Sequence, residues 1–338
     1  MTKPRVLVLP GPTMYHDLFA PEIDRALRDL ADVTLNDRDE NWTSERLAEE
    51  IVPYDGLVTC WGSPAVTDAV LDNAPNLKIV AHAAGSVKAY IPENVLRRGI
   101  KVSSAAIAMA PAVAECSLIL VFLGLRAIHR YDAAMHSGDP DRAWLGLGAF
   151  GMGEEIASQR IGVVGAGGVG RIFIRQARAL GAEVWVADPY LSDEAAAAMG
   201  ATKATLDDLM RSCPIVVNHA PTTPETHHMI GAAQLALLPD NAYLVNTARS
   251  WVIDQDALLA ELSSGRIRAA LDVFDQEPLP LDHPFRSLPN VVLTPHIAGG
   301  TRETRYRQGA CVVRDLTNAF SGHPLAHEVT LDRYAILA

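Results

Sequence analysis

Residues Arg160 to Asp188, RIGVVGAGGVGRIFIRQARALGAEVWVAD, constrain the fold more than any other stretch of the chain. Ile161–Val164 is a short apolar run suited to a buried strand. Gly165, Gly167 and Gly170 follow at G-x-G-x-x-G spacing, then a helical segment over Gly168–Leu180 and a second strand over Glu183–Ala187. In a strand–turn–helix unit the first glycine permits the tight turn. The second lets the backbone approach a pyrophosphate, and the third lets the helix pack close to the sheet. The helix N-terminus presents unpaired N–H groups and a partial positive charge to the phosphates. Asp188 lies 23 positions after Gly165, at the end of the second strand. A carboxylate there can accept hydrogen bonds from an adenosine ribose and repels a 2′-phosphate, which favours NAD over NADP. The blander reading, a tight turn that binds nothing, gives Asp188 no role.

A chain of 338 residues is too long for one ordinary core and suggests two domains. The first hundred residues alternate strand and helix. Strands are expected at Arg5–Leu9, Asp32–Leu35, Gly56–Cys60, Lys78–Ala83 and Lys101–Ser104. Helices are expected at Pro21–Leu30, Ser44–Ile51, Thr67–Asn73 and Pro92–Arg98. The alternation resumes at Ile161 and continues through strands at Ile215–His219, Ala242–Asn246, Ile267–Asp272 and Val291–Thr294. Two α/β domains follow, each a doubly wound parallel sheet covered on both faces. Ala110–Arg126 reads as a connecting helix buried between domains, and Arg130–Glu155, with Trp144 and Phe150, as an irregular glycine-rich connection. Glu303–Ser321 reads as a helix that crosses back to the first domain.

The net charge of −11, with no block of Lys and Arg, argues against nucleic-acid or membrane-surface binding. Cys60, Cys116, Cys213 and Cys311 are far apart and form no CxxC pair, so no metal site is indicated and buried free thiols are expected. The start MTKPRVLVLPG reads as a strand rather than a signal peptide, which leads to an expected cytoplasmic location. Ala105–Leu125 carries a single charge and is long enough for a membrane span, but Pro111 and Glu115 interrupt it and both flanks read as α/β.

Three motifs follow strands, at the sheet edge where open α/β folds bind ligands. Asn246-Thr247-Ala248-Arg249 offers an arginine suited to bidentate carboxylate capture. Leu271–Pro278 offers the acids Asp272 and Glu277, and Thr294–Gly299 offers His296. Alone, each is as readily a solvated surface group. Together they have the capacities that reduction of a 2-oxo acid by NADH requires besides the hydride. These are a cation for the carboxylate, a proton donor for the carbonyl oxygen, and an acid beside the donor that favours imidazolium and sets its tautomer.

The sequence resembles the D-isomer-specific 2-hydroxyacid dehydrogenase family along nearly the whole chain. GAGGVG at Gly165–Gly170, DPY at Asp188–Tyr190 and NHAPTTPET at Asn218–Thr226 carry the resemblance. VNTAR at Val245–Arg249, LDVFDQEP at Leu271–Pro278 and TPHIAG at Thr294–Gly299 continue it. It implies a Rossmann NAD-binding domain over 107–299, inserted in a flavodoxin-like substrate domain formed by 1–106 and 300–338. It implies Arg249, Glu277 and His296 as the catalytic trio, acting in the cleft between domains. It places Gly168 and Val169 at the pyrophosphate, Pro221, Thr247, Ala248 and Ala298 along the cofactor, and Asp272 near the nicotinamide carboxamide. It also implies a homodimer in which Ala110–Glu155 wraps the partner. The implied function is the interconversion of a small D-2-hydroxy acid and its 2-oxo acid, of glyoxylate/hydroxypyruvate type or short phosphoglycerate type. A non-enzymatic NAD(H)-sensing corepressor on the same fold is the alternative.

Two departures stand out. Ser250 follows the arginine where the family usually has glycine. The substrate loop, His82 to Tyr90, is about one residue short and lacks the usual Asp-Asn pair. Backbone N–H groups near Gly85 and Ser86 can still hold a carboxylate. Lys88 adds a cation, either solvated or set to meet a phosphate or second carboxylate. Glu277 argues against the formate-dehydrogenase branch, which carries glutamine there. The about 17 residues after the last expected helix argue against the long phosphoglycerate dehydrogenases with a regulatory domain, and a short form is kept.

Overall fold

The structure, a computed structural model, describes residues 3–137 and 151–334. The chain divides into two compact units, Met1–Met109 with Gly300–Ala338, and Ala110–Gly299.

The first unit contains β1 (Arg5–Val8), α1 (Pro12–Leu18), α2 (Pro21–Leu30), β2 (Asp32–Leu35), α3 (Ser44–Glu50) and β3 (Gly56–Thr59). α4 (Asp68–Asp72), β4 (Ile79–His82), α5 (Glu93–Arg97) and β5 (Lys101–Ser104) complete its N-terminal part. The second unit runs from α6 (Ala110–Arg126) and α7 (Ile128–His136) through β6 (Arg160–Val164), α8 (Gly168–Ala179) and β7 (Glu183–Ala187). It continues with α9 (Asp193–Ala198), β8 (Thr202–Lys203), α10 (Leu206–Ser212), β9 (Ile215–Asn218) and α11 (Ala232–Leu237). β10 (Tyr243–Asn246), α12 (Gln255–Ser263), β11 (Arg268–Leu271) and β12 (Val291–Leu293) close it. The chain then returns to the first unit with α13 (Arg302–Phe320), β13 (Glu328–Val329) and α14 (Leu331–Tyr334).

The first unit's sheet has the order β13-β5-β4-β3-β1-β2. Without β13 this is the flavodoxin-like order 2-1-3-4-5. The strands β1 to β5 run parallel as expected, and β13 adds an antiparallel edge against β5. The reason is topological: β13 follows directly on α13 and a short turn, and closes the sheet where no further crossover is needed. Strand alternation splits the core into two layers. Leu7, Leu57, Val80 and Val102 face α3 and α4, while Val6, Val8, Val58 and Ile79 face α1, α2 and α13.

The second unit's sheet is parallel throughout, ordered β12-β11-β10-β9-β6-β7-β8. Strand order reverses at β6, between β9 and β7, which makes the β6–β9 crevice the switch point where such sheets bind ligands. The register matters more than the order. Ala187, Val164, Asn218, Asn246, Leu271 and Leu293 are Cα partners in turn across the sheet. Each is the last residue of its strand. Six loops therefore leave the sheet at one level along one edge, and every second-unit motif singled out in the sequence lies in or beside one of them.

α6 forms where the sequence suggests. Pro111 sits in its first turn, where a missing N–H costs nothing. The segment Ala105–Arg126 is long and apolar enough to cross a membrane by length and composition. It lies along the second unit, with Ala114, Leu120, Val121 and Leu125 in the core beside Phe173 and Val245. Its outer face is open in this chain, with Ile119 59% exposed. The expected irregular stretch from Arg130 is corrected at its start: after a break at Ala127, whose φ is +49°, a separate helix α7 covers Ile128–His136. Trp144 and Phe150 lie outside the described residues.

Candidate active site

The glycine turn after β6 is shaped by backbone contact. Gly165 has φ +91°, and a Cβ there would lie 2.8 Å from the Ala220 nitrogen and the His219 carbonyl. A Cβ on Gly170 would lie 2.1 Å from the Gly165 carbonyl oxygen. These two glycines are demanded by the protein's own packing. Gly167 is different: a Cβ there would meet nothing within 4 Å. Its smallness leaves open space at the N-terminus of α8, of which Gly168 is the first residue and half-exposed Val169 the second. Asp188 stands at the end of the next strand. Its Oδ2 accepts the Ala166 N–H at 2.7 Å and its Oδ1 the Tyr190 N–H at 2.9 Å. Each carboxylate oxygen keeps a second lone pair for a ribose hydroxyl. An open cradle at Gly167, a twelve-residue helix aimed at it and an acid beside it fit a dinucleotide.

Next to this turn sits His219, whose importance the sequence did not show. Its ring is buried, tilted against Phe173 at 5.4 Å, and both ring nitrogens lack a hydrogen-bond partner among the described residues. Burial drives its pKa from 6.5 down to about 3. In the first unit, His82 is equally buried. Its Nδ1 meets the Thr59 hydroxyl at 2.9 Å, and burial, partly opposed by the Ser86 backbone, lowers its pKa to about 4. Both rings are neutral in the fold, whereas the unfolded chain protonates them below about pH 6.5. Stability is thus unaffected by these groups above that pH and falls as pH drops toward 4. The expected loss is about 1.4 kcal/mol per pH unit for each histidine. Urea unfolding at pH 7.0 and 5.5 should show this loss, and His219→Gln should remove one histidine's share of the slope in the second unit.

Two buried asparagines, also not anticipated, tie neighbouring loops together. Asn218 and Asn246 are Cα partners at the ends of β9 and β10. The Asn218 amide donates to Asn246 Oδ1 at 3.1 Å, and the Asn246 amide donates to the Arg249 carbonyl at 3.0 Å. Asn218 Oδ1 accepts the Ala220 N–H, and Asn246 Oδ1 the Ala248 N–H, each at 3.1 Å. The loops carrying Pro221 and Arg249 are therefore fixed at their roots. Thr247 is buried and shares a 2.7 Å hydroxyl contact with Ser117 of α6.

The three groups suspected of chemistry leave β10, β11 and β12, which are adjacent. His296 Nδ1 lies 2.6 Å from Glu277 Oε2, and Glu277 Oε1 accepts the Phe274 N–H at 3.0 Å. An ionised carboxylate only accepts, so Nδ1 carries the hydrogen and Nε2 is left for a reacting group. The His296 and Glu277 side chains are 43% and 35% exposed, so the pair is reachable. A cleft of about 470 Å³ opens beside them, walled by Phe274, Pro278, Leu279 and Leu293. Arg249 is half-buried. Burial pulls its guanidinium pKa below the usual value and the Glu277 carboxylate opposes that pull, so the two charges sense each other. It remains a cation. One guanidinium nitrogen donates to the Ala248 carbonyl at 2.7 Å, which fixes the guanidinium and leaves its other donors.

Asp272 has no exposed surface, and its oxygens are bonded within the protein. Oδ1 accepts from the Thr294 hydroxyl at 2.6 Å and the Ile297 N–H at 2.9 Å, and Oδ2 accepts the Ala298 N–H at 2.9 Å. It clamps the turn that holds His296 at φ +56°, a left-handed conformation uncommon for a non-glycine residue. Ala298 is itself buried by this clamp.

Gly85 and Ser86 belong to the first unit, on the loop after β4. Gly85 is buried and its carbonyl accepts the Ser104 hydroxyl at 3.2 Å, Ser86 is half-buried, and Lys88 is exposed.

Residues 118–298, just over half of the chain, match the D-isomer specific 2-hydroxyacid dehydrogenase, NAD binding domain. A glyoxylate reductase of Thermofilum pendens is 33% identical over 317 residues, covering 92% of each chain. A D-3-phosphoglycerate dehydrogenase of Methanocaldococcus jannaschii is 34% identical over 282 residues, 83% of this chain and 52% of that protein. The chain thus spans about half the length of that relative. Among solved structures, a phosphoglycerate oxidoreductase from Rhizobium etli superposes with a TM-score of 0.77 at 27% identity, covering 97% of this chain and 98% of that one. With the glycine cradle, the acid after β7 and the His296–Glu277 pair at one sheet edge, the chain belongs to the D-isomer specific 2-hydroxyacid dehydrogenase family and carries its NAD binding domain.

Proposed function

We propose that this protein is an NAD-dependent oxidoreductase that interconverts a small D-2-hydroxy acid and its 2-oxo acid. The 2.6 Å pairing of His296 with Glu277, exposed at the sheet edge that also carries Arg249, is the observation that carries the reading. Arg249 holds the substrate carboxylate. On reduction His296 Nε2 gives its proton to the carbonyl oxygen, and on oxidation it takes the hydroxyl proton. Glu277 keeps the Nδ1 hydrogen in place and stabilises the imidazolium. Bound NAD supplies or accepts the hydride at the substrate's C2. Asp188 recognises the adenosine ribose and disfavours a 2′-phosphate, so NAD is used in preference to NADP. Gly165, Gly167, Gly168, Val169 and Gly170 line the pyrophosphate, with Pro221, Thr247 and Ala248 along the dinucleotide. Gly85 and Ser86 meet the substrate.

The substrate is a short 2-hydroxy or 2-oxo acid of the glyoxylate/hydroxypyruvate or phosphoglycerate type; glyoxylate and phosphoglycerate stand in the names of the relatives above. No observation favours a non-enzymatic sensor. A homodimer located in the cytoplasm completes the proposal. Turnover of glyoxylate, hydroxypyruvate and 2-oxobutyrate, read at 340 nm with NADH and with NADPH, tests it. Tight NADH binding with no turnover of any 2-oxo acid would overturn it.

A further inference from the structure

Away from the residues considered so far, the first unit holds a cysteine, a histidine and an acid in line. Cys311 and Asp315 stand one turn apart on α13 and so share a helix face. His327 comes from the turn just before β13. Its Nε2 lies 3.7 Å from Cys311 Sγ, within the longer range of sulfur hydrogen bonds, and its Nδ1 lies 2.9 Å from Asp315 Oδ2. The Asp315 carboxylate is almost fully buried, and its second oxygen accepts the Ala326 N–H at 2.7 Å. The histidine's backbone is held too, since its carbonyl accepts the Ser104 N–H at 3.1 Å. Both ends of the imidazole are thus assigned: Nδ1–H donates to an acid that cannot turn away, and Nε2 faces the thiol.

We propose that Cys311, His327 and Asp315 form a proton-relay thiol site that exchanges with small disulfides. The chain's four cysteines provide an internal comparison. Cys60 and Cys213 are buried. Cys116 is half-buried, and among the described residues no imidazole is hydrogen-bonded to its sulfur. Cys311 is half-buried and hydrogen-bonded to an imidazole. Burial and the nearby Asp315 charge raise the Cys311 thiol above its ordinary value, while Arg314 and Arg307 oppose the rise. A free thiolate is therefore scarce, and attack requires an acceptor for the proton, which His327 supplies. As Sγ attacks one sulfur of the reagent, its proton passes to Nε2, the reagent's S–S bond breaks and a bond to Cys311 forms. The departing thiolate takes the proton from His327. Cys311 is oxidised, the leaving half is reduced, and no other oxidant is consumed. Arg307 and Arg314, each within a turn of Cys311, favour a reagent of negative charge.

The test uses the full-length native protein without cofactor, so it is independent of the dehydrogenase reading. The probe is the dianionic 5,5′-dithiobis(2-nitrobenzoate), followed by absorbance, with the labelled peptide identified by mass spectrometry. One thiol, Cys311, is expected to react about tenfold or more faster than the other three, and faster than it does with neutral 2,2′-dithiodipyridine relative to a free thiol. Cys311→Ser should abolish the fast phase and His327→Gln should slow it about tenfold or more, whereas rates in urea stay equal. The measurement on the unaltered protein stands even if His327→Gln fails to fold. A fast phase that maps to Cys116, or a Cys311 rate no different from Cys116, would overturn the proposal, as would an unchanged rate in a folded His327→Gln variant.

Discussion

His296→Gln lowers kcat for reduction of a 2-oxo acid by about 10²- to 10⁴-fold and leaves NADH binding intact. The size follows from removing the group that gives up a proton in the transition state. The selectivity follows from geometry: His296 is bonded to Glu277 and sits after β12, whereas the glycine cradle sits after β6, with three strands between them. Glutamine keeps a polar group of similar reach, so the turn clamped by Asp272 should persist. Stopped-flow reduction with saturating NADH measures the rate, and quenching of protein fluorescence measures binding. A variant that turns over at the original rate would remove His296 from the chemistry.

Arg249→Gln is expected to lower kcat/KM by roughly 10²-fold or more, from the loss of about 3 kcal/mol or more of charge-assisted binding to the substrate carboxylate. Burial makes the loss large, because a guanidinium withdrawn from water attracts an anion more strongly than an exposed one does. Arg249→Lys should recover only part, since a lysine cannot reproduce the planar two-point contact. Here KM should rise along with any fall in kcat, unlike the His296 variant, where kcat carries the change. Steady-state kinetics over a range of 2-oxo acid concentrations at fixed NADH separates the two patterns. An unchanged KM and kcat in Arg249→Gln would show that the carboxylate is held elsewhere.

Much of the fold is legible in local residue chemistry. The apolar runs Ile161–Val164 and Ala242–Asn246 become strands, and the glycines that follow the first become a turn with φ +91° at Gly165. Pro21 begins a helix, as its fixed φ and absent N–H allow. Less local features are harder to read. α1 is hard to read because Pro10-Gly11-Pro12 has the composition of a turn, yet Pro12 opens the helix. β13 escaped notice because two residues carry no alternation, and its pairing with β5 joins segments over two hundred positions apart.

The candidate site divides in the same way. Arg249, Glu277 and His296 announce themselves because each follows a strand in a short loop, where an apolar core does not explain a charge or an imidazole. Asp272 in the adjoining loop is equally visible, but its partners are not. Whether it faces a ligand or clamps the turn at His296 depends on β11 and β12 being neighbours in register. The Asn218–Asn246 ladder needs β9 beside β10, and the Cys311–His327–Asp315 line needs the chain to fold back after α13. The amino-acid sequence by itself determined the strands, turns and helix starts, because sterics and capping act over a few residues. Tertiary structure alone decided which side chains meet, because strand order and register set distances between residues that are remote along the chain.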